Sequence, residues 1–158
     1  MVEYNKKVMQ HFLKPKNVGE IKNPDGVGKV GNITCGDIMY VFLKIKEVKG
    51  KEIISEIKFK TLGCAAAIAT SDVVIDLAKN KSIQDALKIT NKDVVKELGG
   101  LPAIKIHCSL LAEEALGEAI YDYIKKSKKE IPKSLEERHK RTLNAEKSFH
   151  DKFKCEEK

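Results

Sequence analysis

The sequence contains no Cys-x-x-Cys pair, no apolar run approaching a membrane span, no apolar signal core at its start and no internal repeat. Each absence removes a class of protein. Without Cys-x-x-Cys, the four cysteines form neither a zinc ribbon nor a thioredoxin-like motif. A membrane helix needs ~18 or more consecutive apolar residues, and no window offers them, so no membrane partner is expected. Met1 to Lys16 carries regularly spaced Lys and His where a secretory signal would carry its apolar core, which places the chain in the cytoplasm. In that reducing compartment, dispersed cysteines read as metal-binding, reactive or buried, and not as disulfides.

What is present suits one compact domain with an appendage: 158 residues, of which 34% are charged and 42% hydrophobic. The net charge of +7 would suggest nucleic acid if it were concentrated on one face. It is not. Residues 1–124 hold 18 Lys+Arg against 16 Asp+Glu, a net of +2, whereas residues 125–158 hold 12 against 7, a net of +5. The excess sits in the tail, the mixed signs elsewhere read as a solvated surface, and no nucleic-acid partner is expected.

The patterning predicts a short N-terminal helix within 3–14, followed by turn signals at Pro15, Gly19 and Asn23-Pro24-Asp25-Gly26. A first strand is expected over 27–34. Residues 37–47 and 52–61, rich in β-formers and joined at Lys49-Gly50-Lys51, read as an antiparallel hairpin with one wet face. From Cys64 the period becomes helical to about residue 79, with Ala67, Ile68, Ser71, Val74, Ile75 and Ala78 on one face. Shorter helices are expected at 82–88, capped by Ser82, and at 91–98, before Gly99-Gly100. A long helix is expected over 106–126 with Leu111, Ala115, Ala119 and Ile120 on its core face. The order predicts an α+β domain over 1–126, a small antiparallel sheet of about three strands packed against several helices. Residues 127–158 read as a basic, charged extension, helical or disordered, since Leu135 to Phe153 lacks the apolar content for a core of its own.

Three cysteines have chemistry-bearing neighbours. Cys35 lies in Thr34-Cys35-Gly36-Asp37, where the glycine exposes the thiol and Asp37, two residues on, shares its face at a strand end. The alternative is an Asp in a turn beside a buried Cys. Cys64 follows Gly63 and opens a helix, whose N-terminal dipole end favours a thiolate; the alternative is a small hydrophobe among Ala65, Ala66 and Ala67. His107 and Cys108 precede the long helix. Imidazole and thiolate both suit borderline metals, but adjacent helical residues point about 100° apart, so joint ligation requires a helix start or loop.

Taken together, GNITCGDIM (31–39), TLGCAAAIATS (61–71) and LPAIKIHCSLLAEEA (101–115) resemble the IscU-type scaffold family of iron–sulfur cluster assembly, which includes the N-terminal domain of NifU. That family has three cysteines, an Asp two residues after the first and a His before the third, and all five positions are matched here by Cys35, Asp37, Cys64, His107 and Cys108. The opening YNKKVMQHFLKPKNVG (4–19) also resembles the family's N-terminal helix and turn. Cys64 and Cys108 lie 44 positions apart, whereas the zinc-dependent SufU relatives carry an insertion in this interval and lack the His. The departures are Ala65-Ala66 where many relatives have Gly-Ser, a tail beyond a minimal IscU, and Cys155, which matches no family position. The chaperone-recognised Leu-Pro-Pro-Val-Lys appears as Leu101-Pro102-Ala103-Ile104-Lys105, one proline short, which weakens the case for an Hsp70-type chaperone partner.

The resemblance implies a SufE/IscU-like fold and a scaffold, not an enzyme. It implies that a cysteine desulfurase delivers persulfide sulfur, with Cys108 the first acceptor and Cys35 and Cys64 close alternatives. Iron then completes a transient [2Fe–2S] cluster on Cys35, Asp37, Cys64 and Cys108, and the cluster passes to acceptor apo-proteins. His107 is an alternative ligand or a donor behind the ligands, and Lys105 neutralises anionic sulfur. A homodimer is compatible with the sequence. The same donors suit four-coordinate Zn²⁺, so the second reading is a zinc-bound sulfur relay that accepts persulfide and builds no cluster.

Overall fold

The computed structural model describes residues 3–32 and 35–154, with 149–154 as backbone alone; Cys155 lies outside the described residues. Its centre is a hairpin of β2 (Asp37–Val48) and β3 (Lys51–Leu62). The two residues between them, Lys49 and Gly50, have φ of 51° and 76°. Positive φ at both central positions is the I′ form whose twist matches the flanking strands, and glycine makes the second position easy. β1 (Gly26–Asn32) pairs antiparallel with β2, so the sheet order is β1-β2-β3. Register places Asn32 opposite Asp37 and Ile38 opposite Leu62. The end of β1, the start of β2 and the end of β3 therefore meet at one end of the sheet, and each leads into or out of a cysteine segment.

Strand alternation gives the sheet its two faces. Val30, Met39, Val41, Leu43, Ile57 and Phe59 are buried towards the helices, while Lys29, Tyr40, Phe42 and Lys60 alternate with them. A register shift at Lys44/Ile45 interrupts the ladder, and Asp25 fills it by accepting from the Ile45 N–H at 2.7 Å. The outer edge of β3 is covered by loop backbone: Phe59 exchanges hydrogen bonds with Asn17 and Gly19, and Ile54 with Asn80 and Lys81. A covered edge offers no template for strand addition.

The helices follow the expected order: α1 (Lys6–Leu13), α2 (Ala65–Ala78), α3 (Ile83–Ala86), α4 (Asn91–Glu97), a 3₁₀ turn (Ala103–Lys105), α5 (Ile106–Lys126) and α6 (Lys133–Lys154). Ser82 caps α3 as expected, and Thr90 with Asp93 forms a full capping box on α4. One expectation needs correction. The amphipathic reading of α2 undercounts its burial: Ala66, Ala69, Asp72 and Val73 are buried as well as Ala67, Ser71, Val74, Ile75 and Ala78, whereas Ile68 is only partly so. α2 lies between the sheet, α1 and α5, and its small residues let neighbours approach from most sides.

A buried carboxylate fastens α1 to α2. Asp72, fully inaccessible, accepts from the Lys16 and Asn17 N–H groups at 2.9 and 3.0 Å and from Asn17 Nδ2 at 3.0 Å. His11 Nδ1 lies 2.7 Å from its other oxygen. α6 lies against α5, with Leu135 buried, Arg138 paired to Glu113 and His139 to Glu118. Burial in this contact pushes the Glu118 carboxyl above the usual range. Among the described residues, no helix is long and apolar enough to cross a membrane.

α5 meets β1 almost backbone to backbone. A Cβ on Gly28 would fall 2.2 Å from the Ala115 carbonyl oxygen and 2.5 Å from the Ala119 nitrogen. Helix backbone cannot yield locally, so Gly28→Ala should force α5 off the sheet and cost about 3 kcal/mol, at the upper end of overpacking effects. Urea unfolding of the metal-free protein measures this, and a loss below about 0.5 kcal/mol would show that α5 moves freely.

Candidate metal centre

Four residues of connection separate β1 from β2, and the described part of it ends in a turn closed by the Gly36 N–H donating to the Asn32 carbonyl at 2.8 Å. Gly36 has φ of 74°, a conformation that glycine adopts without strain. The turn leaves Cys35 exposed, its Sγ 3.9 Å from the Asn32 carbonyl oxygen. Asp37, the first residue of β2, points inward and is 4% exposed.

Cys64 occupies the N-cap position of α2 with extended backbone. Its side chain makes no capping hydrogen bond, so the first N–H groups of the helix remain directed at this end of the molecule. The 3₁₀ turn after Pro102 delivers the chain into α5 with His107 and Cys108 in the first helical turn. Here adjacent residues reach a common point, as joint ligation requires: His107 Nε2 lies 3.6 Å from Cys108 Sγ.

The donors converge. Cys64 Sγ and Cys108 Sγ are 3.8 Å apart, and each is 3.9 Å from Asp37 Oδ2. A tetrahedral ion with metal–sulfur bonds of about 2.3 Å needs sulfur–sulfur edges of about 3.8 Å, so this triangle is close to the size a bound metal requires. A second group, Cys35, Asp37 and His107, offers donor atoms all within 4.8 Å of one another. Asp37 belongs to both groups. The five residues singled out in the sequence thus lie around one carboxylate, and soft thiolates with one imidazole suit iron or zinc.

Burial dominates the electrostatics of the Cys108 thiol. Desolvation pushes the Cys108 thiol far above its ordinary value, and Cys64 and Asp37 reinforce the shift. Desolvation also raises Cys35, with the Asp37 backbone N–H opposing it and the Asp37 side chain adding to it. Lys105 stands near enough that Cys64 raises its pKa, with Tyr4, Cys108 and Asp37 contributing less. Tyr4 is the residue that sequence reasoning missed. Burial raises its phenol, and Cys64, Cys108 and Asp37 act in the same direction, so the segment before α1 lies near the centre. It lay inside the quoted N-terminal match, but no spacing tied it to the cysteines. Beside Asp37, a groove of about 540 Å³ opens between β1 and α6, lined by Lys29, Asn32, Gly36, Leu143 and Glu146 among others.

Residues 3–130 match the family model described as the NifU-like N terminal domain. The chain is 52% identical over 126 residues to the iron-sulfur cluster assembly scaffold protein IscU 1 of Archaeoglobus fulgidus, covering 80% of each chain. It is 43% identical over 152 residues to the iron-sulfur cluster assembly scaffold protein IscU of Aquifex aeolicus, covering 93% of this chain and 96% of that one. Among solved structures, the fold is similar to a putative iron-sulfur cluster assembly scaffold protein for the SUF system from Fervidobacterium islandicum. The TM-score is 0.62 at 24% identity, covering 74% of this chain and 96% of that one.

Because burial holds the Cys108 thiol protonated in the metal-free protein, a metal that binds it must displace its proton, and affinity should rise with pH by about tenfold per unit for each proton released. Competition titrations with Zn²⁺ between pH 6 and 8 measure this slope. Cys108→Ser should lower it by about one proton, and an unchanged slope would show that Cys108 does not bind the ion.

Proposed function

The chain belongs to the family of NifU-like N-terminal domains, and from that premise we propose that it is an iron–sulfur cluster assembly scaffold whose cluster ligands are Cys35, Asp37, Cys64 and Cys108. The observation that carries this reading is the Asp37–Cys64–Cys108 triangle with edges of 3.8–3.9 Å, with Cys35 and His107 completing the ring. The cluster is cargo, so the chain is a carrier and not an enzyme.

Sulfur arrives from a cysteine desulfurase as a persulfide. The scaffold thiolate attacks the sulfane sulfur, the sulfur–sulfur bond breaks, and the desulfurase leaves as a thiolate. We assign first acceptance to Cys108, because His107 Nε2 at 3.6 Å is placed to take its proton and Lys105 is placed to offset the anionic sulfur. Cys108 is fully buried, so docking of the desulfurase must expose it. Exposed Cys35 is the competing acceptor. Each sulfane sulfur takes two electrons from an external reductant to become sulfide, and two such sulfides with two iron ions make the [2Fe–2S] unit. Apo-proteins then take it. Three thiolates hold iron firmly. The Asp37 carboxylate is a harder, more readily exchanged donor, and it supplies the weak point through which the cluster leaves.

Anaerobic incubation with a desulfurase and cysteine, without iron, followed by mass spectrometry, should place the persulfide on Cys108. Persulfide on Cys35 alone would overturn the acceptor assignment. With iron and reductant added, cluster absorbance should form in the wild type and fail in Cys35→Ser, Cys64→Ser and Cys108→Ser.

Asp37→Ala should assemble a cluster that decays more slowly in chelator and transfers more slowly to an apo-ferredoxin, with a small change in Tm. Faster decay would show that Asp37 is not the labile ligand.

We also propose that 1–126 is the working domain and 127–158 an extension. α6 reaches the body through Leu135 and the ion pairs with Glu113 and Glu118. Deletion of residues 133–158 should leave circular dichroism of a folded domain and intact cluster assembly, with Tm lower by a few degrees. Global unfolding on truncation would overturn the division.

A further inference from the structure

Gly63 joins the end of β3 to the N-cap of α2, and its φ lies outside the left-handed range. An alanine could therefore adopt its backbone without conformational strain. What an alanine lacks is space. A Cβ there would fall 2.9 Å from the Ala67 Cβ and 3.0 Å from both Cγ and Oδ1 of Asp37. Ala67 is fully buried on α2 and cannot retreat, because the helix is packed on most sides. The carboxyl group is the part that can move. Its other oxygen, Oδ2, is the atom 3.9 Å from both Cys64 and Cys108 sulfurs. Asp37 is thus held between two limits, the missing side chain at 63 behind it and the two thiols in front.

We infer that Gly63 is a positioning residue for Asp37: the absence of a side chain at 63 is what seats the carboxylate against the thiols. The inference rests on the reading of Asp37 as a ligand. Gly31 supplies the control. It lies in the adjoining strand near Asp37, yet a Cβ on it would meet only the Asp37 carbonyl oxygen at an ordinary 3.8 Å.

The test uses the full chain loaded anaerobically with Co²⁺, whose visible bands report the donor set, beside a thermal melt of each metal-free variant. Gly63→Ala should shift the cobalt spectrum towards that of Asp37→Ala, and Gly31→Ala should match the wild type. In reconstituted protein, Gly63→Ala should lengthen cluster half-life in chelator by about tenfold, the scale on which a contact that orients a ligand acts. In the Asp37→Ala background, Gly63→Ala should add nothing. A Gly63→Ala spectrum identical to wild type while Asp37→Ala differs would overturn the inference, and so would an undiminished Gly63→Ala effect in the Asp37→Ala background. If Asp37→Ala leaves the cobalt spectrum unchanged, the ligand assignment itself fails and the inference falls with it. Should Gly63→Ala fold poorly, Gly63→Ala/Ala67→Gly removes the contact with Ala67 and keeps the one with Asp37; it should retain the spectral shift.

Discussion

The approach of α5 onto β1, with no side chain between them at Gly26 and Gly28, fixes the height of the long helix above the sheet. The metal centre depends on that height. Cys108 and His107 ride on the first turn of α5, while Asp37 rides on β2 and Cys64 on the start of α2. Three elements must agree to within a few tenths of an ångström for the Asp37–Cys64–Cys108 triangle to close. Packed backbone and the full burial of Ala112, Ala115 and Ala119 give that agreement a rigidity that longer side chains would soften.

The centre combines that rigidity with electrostatic frustration. Cys64 and Asp37 lie beside the buried Cys108 thiol and add to the desolvation that disfavours its ionisation. Metal-free, Cys108 is most at ease as the protonated thiol. Loaded, the cations remove the conflict. The scaffold is thus built so that its cargo relieves an arrangement the protein alone finds unfavourable.

Much of this was legible in the sequence, for identifiable reasons. Turn chemistry at Lys49-Gly50, the cap at Ser82, and the periodic Leu111-Ala115-Ala119 face are local signals, and each element formed where they stand. The cysteine motifs were legible because Gly36, Gly63 and Pro102 mark irregular backbone beside a reactive side chain. The rest was not, because it depends on distance in space. Nothing near Tyr4 shows that it reaches the thiols. The burial of α2 exceeds its amphipathic pattern because alanines are weak hydrophobic signals yet pack closest. Asp72 reads as an exposed helical acid until its partners at Lys16 and Asn17, more than fifty residues away, are seen.

Asp72 also decides from which direction the sulfurs can be approached. Lifting α1 away would strand a carboxylate in the core without the backbone donors of Lys16 and Asn17 or the imidazole of His11, a loss of several kcal/mol. Tyr4, two residues before α1, is therefore near the thiols on a side of the molecule that is fastened. On another side, Cys35 is exposed and the groove beside Asp37 opens between β1 and α6. Under the proposed function, sulfur, iron and finished cluster have an opening there, where the exposed thiol lies near the Asp37 carboxylate.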